Sequence, residues 1–182
     1  PLGDGDFAFA GQQFDRAHFA HVHAHGIGGA ATLGVEGQRR GGFLGGGVVG
    51  THAARMAVGL GAEVTIIERS LPRLRQLDEL FEGRVKTLAS TMETVETEVL
   101  AADVVVGAVL IAGASAPKLI SRAMLKDMKK GAVLVDVAID QGGCFATSRP
   151  TTHAEPTFIV DGIIHYCVAN MPGGVPKTSA HA

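Results

Sequence analysis

The chain has 182 residues, 16 Lys and Arg against 18 Asp and Glu, a net charge of −2 and 46% hydrophobic residues. That is the size of one ordinary domain with enough apolar residues for a core, and its near-neutral charge gives no footing for nucleic acid or a membrane surface. No apolar run is long enough to span a bilayer, no signal-peptide pattern opens the chain, and two cysteines without metal spacing fit a reduced, cytoplasmic setting.

In chain order, residues 1–42 come first. They are rich in Gly, Ala, His and Arg and show neither a helical nor a strand period, so they are assigned to no domain and expected to be non-native or disordered. The chain opens with Pro-Leu-Gly and stops soon after a patterned segment, which predicts a fragment of a longer protein. From residue 43 onward, short apolar runs alternate with helical patterns. That alternation predicts an α/β, Rossmann-like doubly wound parallel sheet with helices on both faces, over residues 43–182.

A short strand should end at Phe43-Leu44. It is preceded by Arg39-Arg40-Gly41-Gly42, so the central strand is expected to be poorly formed. A helix follows from Val48 to Leu60, stopped by Gly61. Glu63–Glu68 reads as a strand. Ser70 should cap a helix with Pro72 in its first turn and Leu74, Leu77 and Leu80 on its buried face. Arg84–Ala89 reads as a strand, Thr91–Ala101 as a helix, and Asp103–Val109 as a strand buried on both faces. Pro117–Met128 reads as mostly helical, with Ser121 as a cap. Ala132–Ala138 is a further buried strand, and Thr157–Val160 and Ile163–Val168 are two more.

Three constellations carry chemistry. Gly45, Gly47 and Gly50 form G-x-G-x-x-G. Gly45 permits a tight strand-to-helix turn, Gly47 lets backbone approach a pyrophosphate, and Gly50 lets helix pack on strand. Glu68 ends the next strand about 20 positions on, where a carboxylate can accept from both ribose hydroxyls and would repel a 2′-phosphate, favouring NAD over NADP. A solvated acid at a strand end is the plainer alternative. The second is Ile139-Asp140-Gln141-Gly142-Gly143-Cys144, which sets Asp140 at a strand's carboxyl end. There it either handles a proton or caps a turn, and pattern leaves both open. The third is Val168-Ala169-Asn170-Met171-Pro172-Gly173, a loop at the same edge, which by pattern alone is a plain turn. Arg149, in Arg-Pro-Thr-Thr-His, reads by pattern as a surface cation. Cys144 reads as a small buried thiol. His18, His21, His23 and His25 have no acid partners or scaffold, so no metal is assigned.

LGGGVVGT, EVTIIERSLPRLRQLDELFEGRVKTL, AIDQGGCF, SRPTTH and HYCVANMPGGVPKTS together resemble the alanine dehydrogenase/pyridine nucleotide transhydrogenase family, alanine dehydrogenase in particular, from about Phe43 to Ser179. The resemblance implies an NAD-dependent oxidoreductase that converts L-alanine reversibly to pyruvate and ammonia. Hydride would pass from the alanine α-carbon to nicotinamide, and water would then add to the imine. It implies that Val48 and Val49 lie on the pyrophosphate, Glu68 on the ribose, Arg73 near the adenosine and Ser90 near the adenine. Val109 and Leu110 would touch the cofactor by backbone. Val137, Ala138, Ile139 and Asp140 would sit beside nicotinamide, with Asp140 the catalytic acid, and Arg149, Val168, Ala169, Asn170 and Met171 would complete the cofactor contacts. A homo-oligomer, hexameric in the family, is also implied.

The family commonly has Asp where Glu68 stands. Its substrate-binding Lys and Arg and its catalytic His belong to a preceding domain that the matching segment does not include, so the isolated chain is expected to be inactive toward alanine. Two other functions fit the same pattern. One is the nucleotide domain of a proton-translocating transhydrogenase, which usually has Glu in place of Asp140. The other is a non-catalytic NAD-binding module.

Overall fold

The computed structural model describes residues 39–109 and 116–179. Its first strand, β1, runs Arg40–Leu44, starting ahead of the expected boundary at 43. The glycine turn leads into α1 (Val48–Gly59), then β2 (Glu63–Glu68), α2 (Leu71–Phe81), β3 (Lys86–Ala89), α3 (Met92–Ala101) and β4 (Val104–Gly107). β5 (Val133–Asp136) runs directly into a 3-10 turn at Val137–Gln141, and β6 (Thr157–Val160) and β7 (Ile163–Tyr166) form a hairpin. A 3-10 turn (Met171–Gly174) and a short α4 (Pro176–Ser179) follow.

The strands form one seven-stranded sheet in the order β3-β2-β1-β4-β5-β7-β6. All neighbours are parallel except β6 and β7. The chain winds outward from β1 to β3, then returns to β4 on the other side of β1. This reversal leaves a crevice above the carboxyl ends of β1 and β4, where open α/β sheets take ligands.

Strand periodicity explains the two-sided core. Successive residues point to opposite faces, and here both faces are covered. Phe43, Ile66, Val106 and Val135 pack on one side with Ala54 of α1 and Leu77 and Phe81 of α2. Leu44, Ile67, Val105 and Leu134 pack on the other with Val95 and Val99 of α3 and with Ile120, Leu125 and Phe145.

Four expectations need correction. β1 is a full central strand, paired with β2 from Arg40 to Leu44 and with β4 from Gly41 to Leu44. Ladder hydrogen bonds come from the main chain, so glycines do not abolish the strand. At Gly42 an added Cβ would meet only ordinary contacts, 3.8 Å from Ala102 Cβ and 3.9 Å from Val105 Cγ2.

Residues 117–128 are not a helix. Only Met124–Lys126 form a 3-10 turn, with the Met124 N–H 3.4 Å from Ser121 Oγ. The preceding backbone pairs instead with the segment after β5: Leu119 N–H donates to Cys144 O at 2.8 Å and Ala146 N–H to Ile120 O at 2.8 Å. These non-local partners satisfy the groups that a helix would have paired internally. On α2, Phe81 rather than Leu80 completes the buried face with Leu74 and Leu77, and Leu80 is 39% exposed. The strands also end earlier than expected: β4 at Gly107, β5 at Asp136 and β7 at Tyr166.

Candidate functional site

The glycine turn is built to be thin. Gly45 has φ 98°, and a Cβ there would lie 2.7 Å from the Ala108 carbonyl oxygen. A Cβ at Gly50 would lie 1.9 Å from the Gly45 oxygen, so only glycine lets α1 start this close to β1. Around Gly47, by contrast, an added Cβ meets nothing within 4 Å. That free space lies at the N-terminus of α1, whose cap residue Gly47 has no side chain to occupy its first-turn N–H groups. Val48 and Val49 are exposed there. Open donors and positive helix-end charge fit a phosphate group.

The Gly46 peptide is held at both ends. Its N–H donates to Glu68 Oε2 at 2.8 Å. Its carbonyl accepts from Arg73 Nε at 2.8 Å and from the Thr51 hydroxyl at 3.1 Å, while Arg73 Nη2 donates to the same hydroxyl oxygen at 3.0 Å. Arg73 therefore lies on the glycine turn in this structure, and its Nη1 donates to Gln76 Oε1 at 3.0 Å. Glu68 Oε1 also accepts from the N–H groups of Arg69 at 2.7 Å and Ser70 at 3.0 Å. Three of its about four carboxylate lone-pair positions are thus filled by main-chain donors.

These residues open onto a cleft of about 470 Å³ lined by Gly45, Gly47, Glu68, Ser70, Ser90 and Val109, among others. The volume lies in the range of small-molecule sites. Leu110 falls outside the described residues, as do His18, His21, His23 and His25. Among the described residues no His, Cys, Asp and Glu cluster could hold a metal.

The remaining candidates sit farther along the same carboxyl edge. Val137, Ala138, Ile139 and Asp140 form the 3-10 turn after β5, where Ala138 and Ile139 are buried and Asp140 is exposed. The Asn170 N–H faces Asp140 Oδ2 at 3.4 Å, which brings the second and third constellations together. Val168 bridges Thr151, Ala169 N–H donates to Thr151 O at 3.1 Å, and His153 Nε2 donates to Asn170 O at 3.1 Å. Met171 begins the next 3-10 turn. The guanidinium of Arg149 lies 4.1 Å from the centre of the Phe158 ring. Phe158 stacks on His165 with ring centres 4.8 Å apart.

Sequence reasoning missed the support beneath Asp140. Asp136 has no exposed surface. It accepts from the N–H of Ala138 at 3.1 Å, of Cys144 at 2.9 Å and of Phe145 at 3.4 Å, and from the Ser148 hydroxyl. This carboxylate folds the chain back after β5 and so aims Asp140 at the edge. Lys118 Nζ adds a brace to the carbonyls of Gly142 and Gly143. The available signal was an acid at the end of an apolar run, Val-Leu-Val-Asp.

Burial pushes the Cys144 thiol far up, aided by Asp136, and pushes Cys167 up to about 11, so both stay protonated and inert near neutrality. His165 is lowered, first by burial. Its Nδ1 faces the Ile163 carbonyl at 3.1 Å and its Nε2 the Thr147 hydroxyl at 2.7 Å. A carbonyl can only accept, so the neutral ring carries its proton on Nδ1.

The strand order, the glycine turn and the acid at the end of β2 define a Rossmann-like doubly wound domain. The profile of the alanine dehydrogenase/PNT C-terminal domain family matches residues 16–182, a range that begins well before Phe43, and the chain belongs to that family. Alanine dehydrogenase from Halomonas elongata is 60% identical over 167 residues, which are 90% of this chain and 45% of that protein. A solved L-alanine dehydrogenase superposes with TM-score 0.79 at 46% identity, covering 88% of this chain and 45% of the other. The transhydrogenase from Sinorhizobium meliloti superposes with TM-score 0.74 at 23% identity, covering 88% and 48%, a likeness of fold. The chain thus spans about half the length of the relatives it matches.

Proposed function

We propose that this chain is the NAD-binding part of an NAD-dependent alanine dehydrogenase, an oxidoreductase acting on a CH–NH2 group. In the oxidative direction L-alanine, water and NAD⁺ give pyruvate, ammonium, NADH and a proton. The observation that carries the reading is the open backbone at Gly47 above the end of β1, with Glu68 holding the turn beside it. High identity to alanine dehydrogenase supports the choice of reaction.

The cofactor, when bound, supplies the hydride acceptor. The residues of this chain bind and orient. Gly47 and the first-turn N–H groups of Val48 and Val49 take the pyrophosphate, and Gly45 and Gly50 keep that turn thin. Glu68, Ser70 and Ser90 line the adenosine half. Val109, the Val137–Asp140 turn and the Val168–Met171 loop frame the nicotinamide half. Arg149, beside Phe158 of the β6–β7 hairpin, completes the cofactor contacts, and Arg73 lies near the adenosine while it fixes Gly46. Asp140 takes the proton that water loses as it adds to the substrate carbon. Fixing donor and acceptor carbons within reach is the main catalytic contribution of such a scaffold.

The NAD-binding domain spans residues 43–182 in this reading, extended at its start by the β1 residues from Arg40. The substrate-binding Lys, Arg and His come from outside it, in a cytoplasmic homo-oligomer. Alanine-dependent NADH formation by the intact protein is the test. Asp140→Asn should slow it by about two to four orders of magnitude. An unchanged rate would contradict the role of Asp140, and no alanine-dependent rate in the unaltered protein would contradict the reaction.

A further inference from the structure

The cleft has one charged residue whose side chain the binding reading does not use. Of the described residues that line it, Glu68 is the only anion and Arg69 the only cation. Arg69 is exposed, and its guanidinium has no hydrogen bond or ion pair within the described residues. Its backbone N–H is engaged with Glu68, which fixes where the side chain leaves the loop. Arg73, four residues on, differs: its Nε, Nη1 and Nη2 all donate to protein oxygens. The uncommitted guanidinium is thus the one next to the ribose acid.

Glu68 is itself less of an obstacle to an anion than a bare carboxylate. Three backbone N–H groups already donate to it and offset its charge locally. A 2′-phosphate on the ribose would meet a partly compensated acid, the Ser70 hydroxyl at the wall and a free arginine. Guanidinium matches phosphate geometry and keeps its charge at all working pH values.

We propose that Arg69 is a specificity-determining residue that receives the 2′-phosphate of NADPH, so that the site holds both reduced cofactors, with Glu68 tipping the balance toward NADH and Arg69 moderating it. This rests on the dinucleotide reading above. The ligand class is a dinucleotide phosphorylated on the adenosine ribose.

Equilibrium titration of the purified protein with NADH and with NADPH, read by reduced-nicotinamide fluorescence, tests it. The unaltered protein should bind NADH more tightly and NADPH measurably. Arg69→Leu should lower the NADPH-to-NADH affinity ratio at least about tenfold, the loss of one charge-assisted phosphate contact. Glu68→Gln should raise that ratio, and adding Arg69→Leu should remove the gain. A cooperative melt for each variant separates these effects from unfolding. A ratio untouched by Arg69→Leu, or no NADPH binding to Glu68→Gln, overturns the assignment of Arg69. Failure of the unaltered, folded protein to bind NADH overturns the dinucleotide reading itself.

Discussion

A carboxylate without exposed surface is costly unless donors surround it, and Asp136 is surrounded by main-chain N–H groups and a serine hydroxyl. Asp136→Asn keeps the size but turns one acceptor into a donor that faces other donors. It should lower stability by about 1–3 kcal/mol, measured by denaturant unfolding, and speed amide exchange at Ala138 and Cys144. An unchanged midpoint would mean that the turn under Asp140 is held by other contacts. His165 gives a signed pH effect. Its folded pKa lies below the ordinary value, chiefly through burial, so the unfolded chain takes the proton first as pH falls. The neutral ring's contribution is therefore complete above about pH 6.5 and lost as pH drops from there toward the lower folded value. The gap in melting temperature between the unaltered protein and His165→Gln should narrow from about pH 7 to about pH 5; a constant gap would count against a neutral buried imidazole. At this scale the glycines and Glu68 were legible, because their spacing carries a mechanism. Asp136 was not, since Val-Leu-Val-Asp reads as a strand running on; Arg73 was named only through the resemblance, and its partners on Gly46 and Thr51 lie far away in sequence.

Elements with local causes were read well. Ser70 caps α2 by accepting from the Arg73 N–H, and Thr91 caps α3 by accepting from Thr94. β2 matches its expected ends, Glu63 and Glu68. Misreadings fell where backbone groups found distant partners. Residues 117–128 read as mostly helical, yet the chain at 116–120 runs alongside 141–146. β1 was undervalued because its glycines carry no apolar signal, while its two flanking ladders supply all it needs. Two glycine substitutions separate these ideas. Gly42→Ala meets only ordinary contacts and should leave stability unchanged or raise it by up to about 1 kcal/mol. Gly50→Ala forces a Cβ into the Gly45 carbonyl and should cost about 1–3 kcal/mol and weaken NADH binding. Thermal melts of the two proteins check both, and equal effects would contradict the close approach at Gly50.

For the whole molecule, winding order brings the described candidates to one edge. β1, β4, β5 and β7 are parallel, so the glycine turn, Val109, the Asp140 turn and the Asn170 loop all emerge on the same side. Sequence alternation foretold that sheet, and the chain's membership of its family agrees with it. The alternation did not reveal that α3 and the 117–128 segment share one face while α1 and α2 take the other, because which side a crossover covers depends on winding rather than on local pattern. The central claim is that this edge binds a reduced dinucleotide only when folded. Thermal unfolding with and without NADH tests it most directly, since a ligand that binds only the native state stabilises it by about 2.7 kcal/mol at a hundred times its Kd. The account predicts one cooperative transition whose midpoint rises with NADH concentration. A cooperative transition that saturating NADH leaves in place would contradict it.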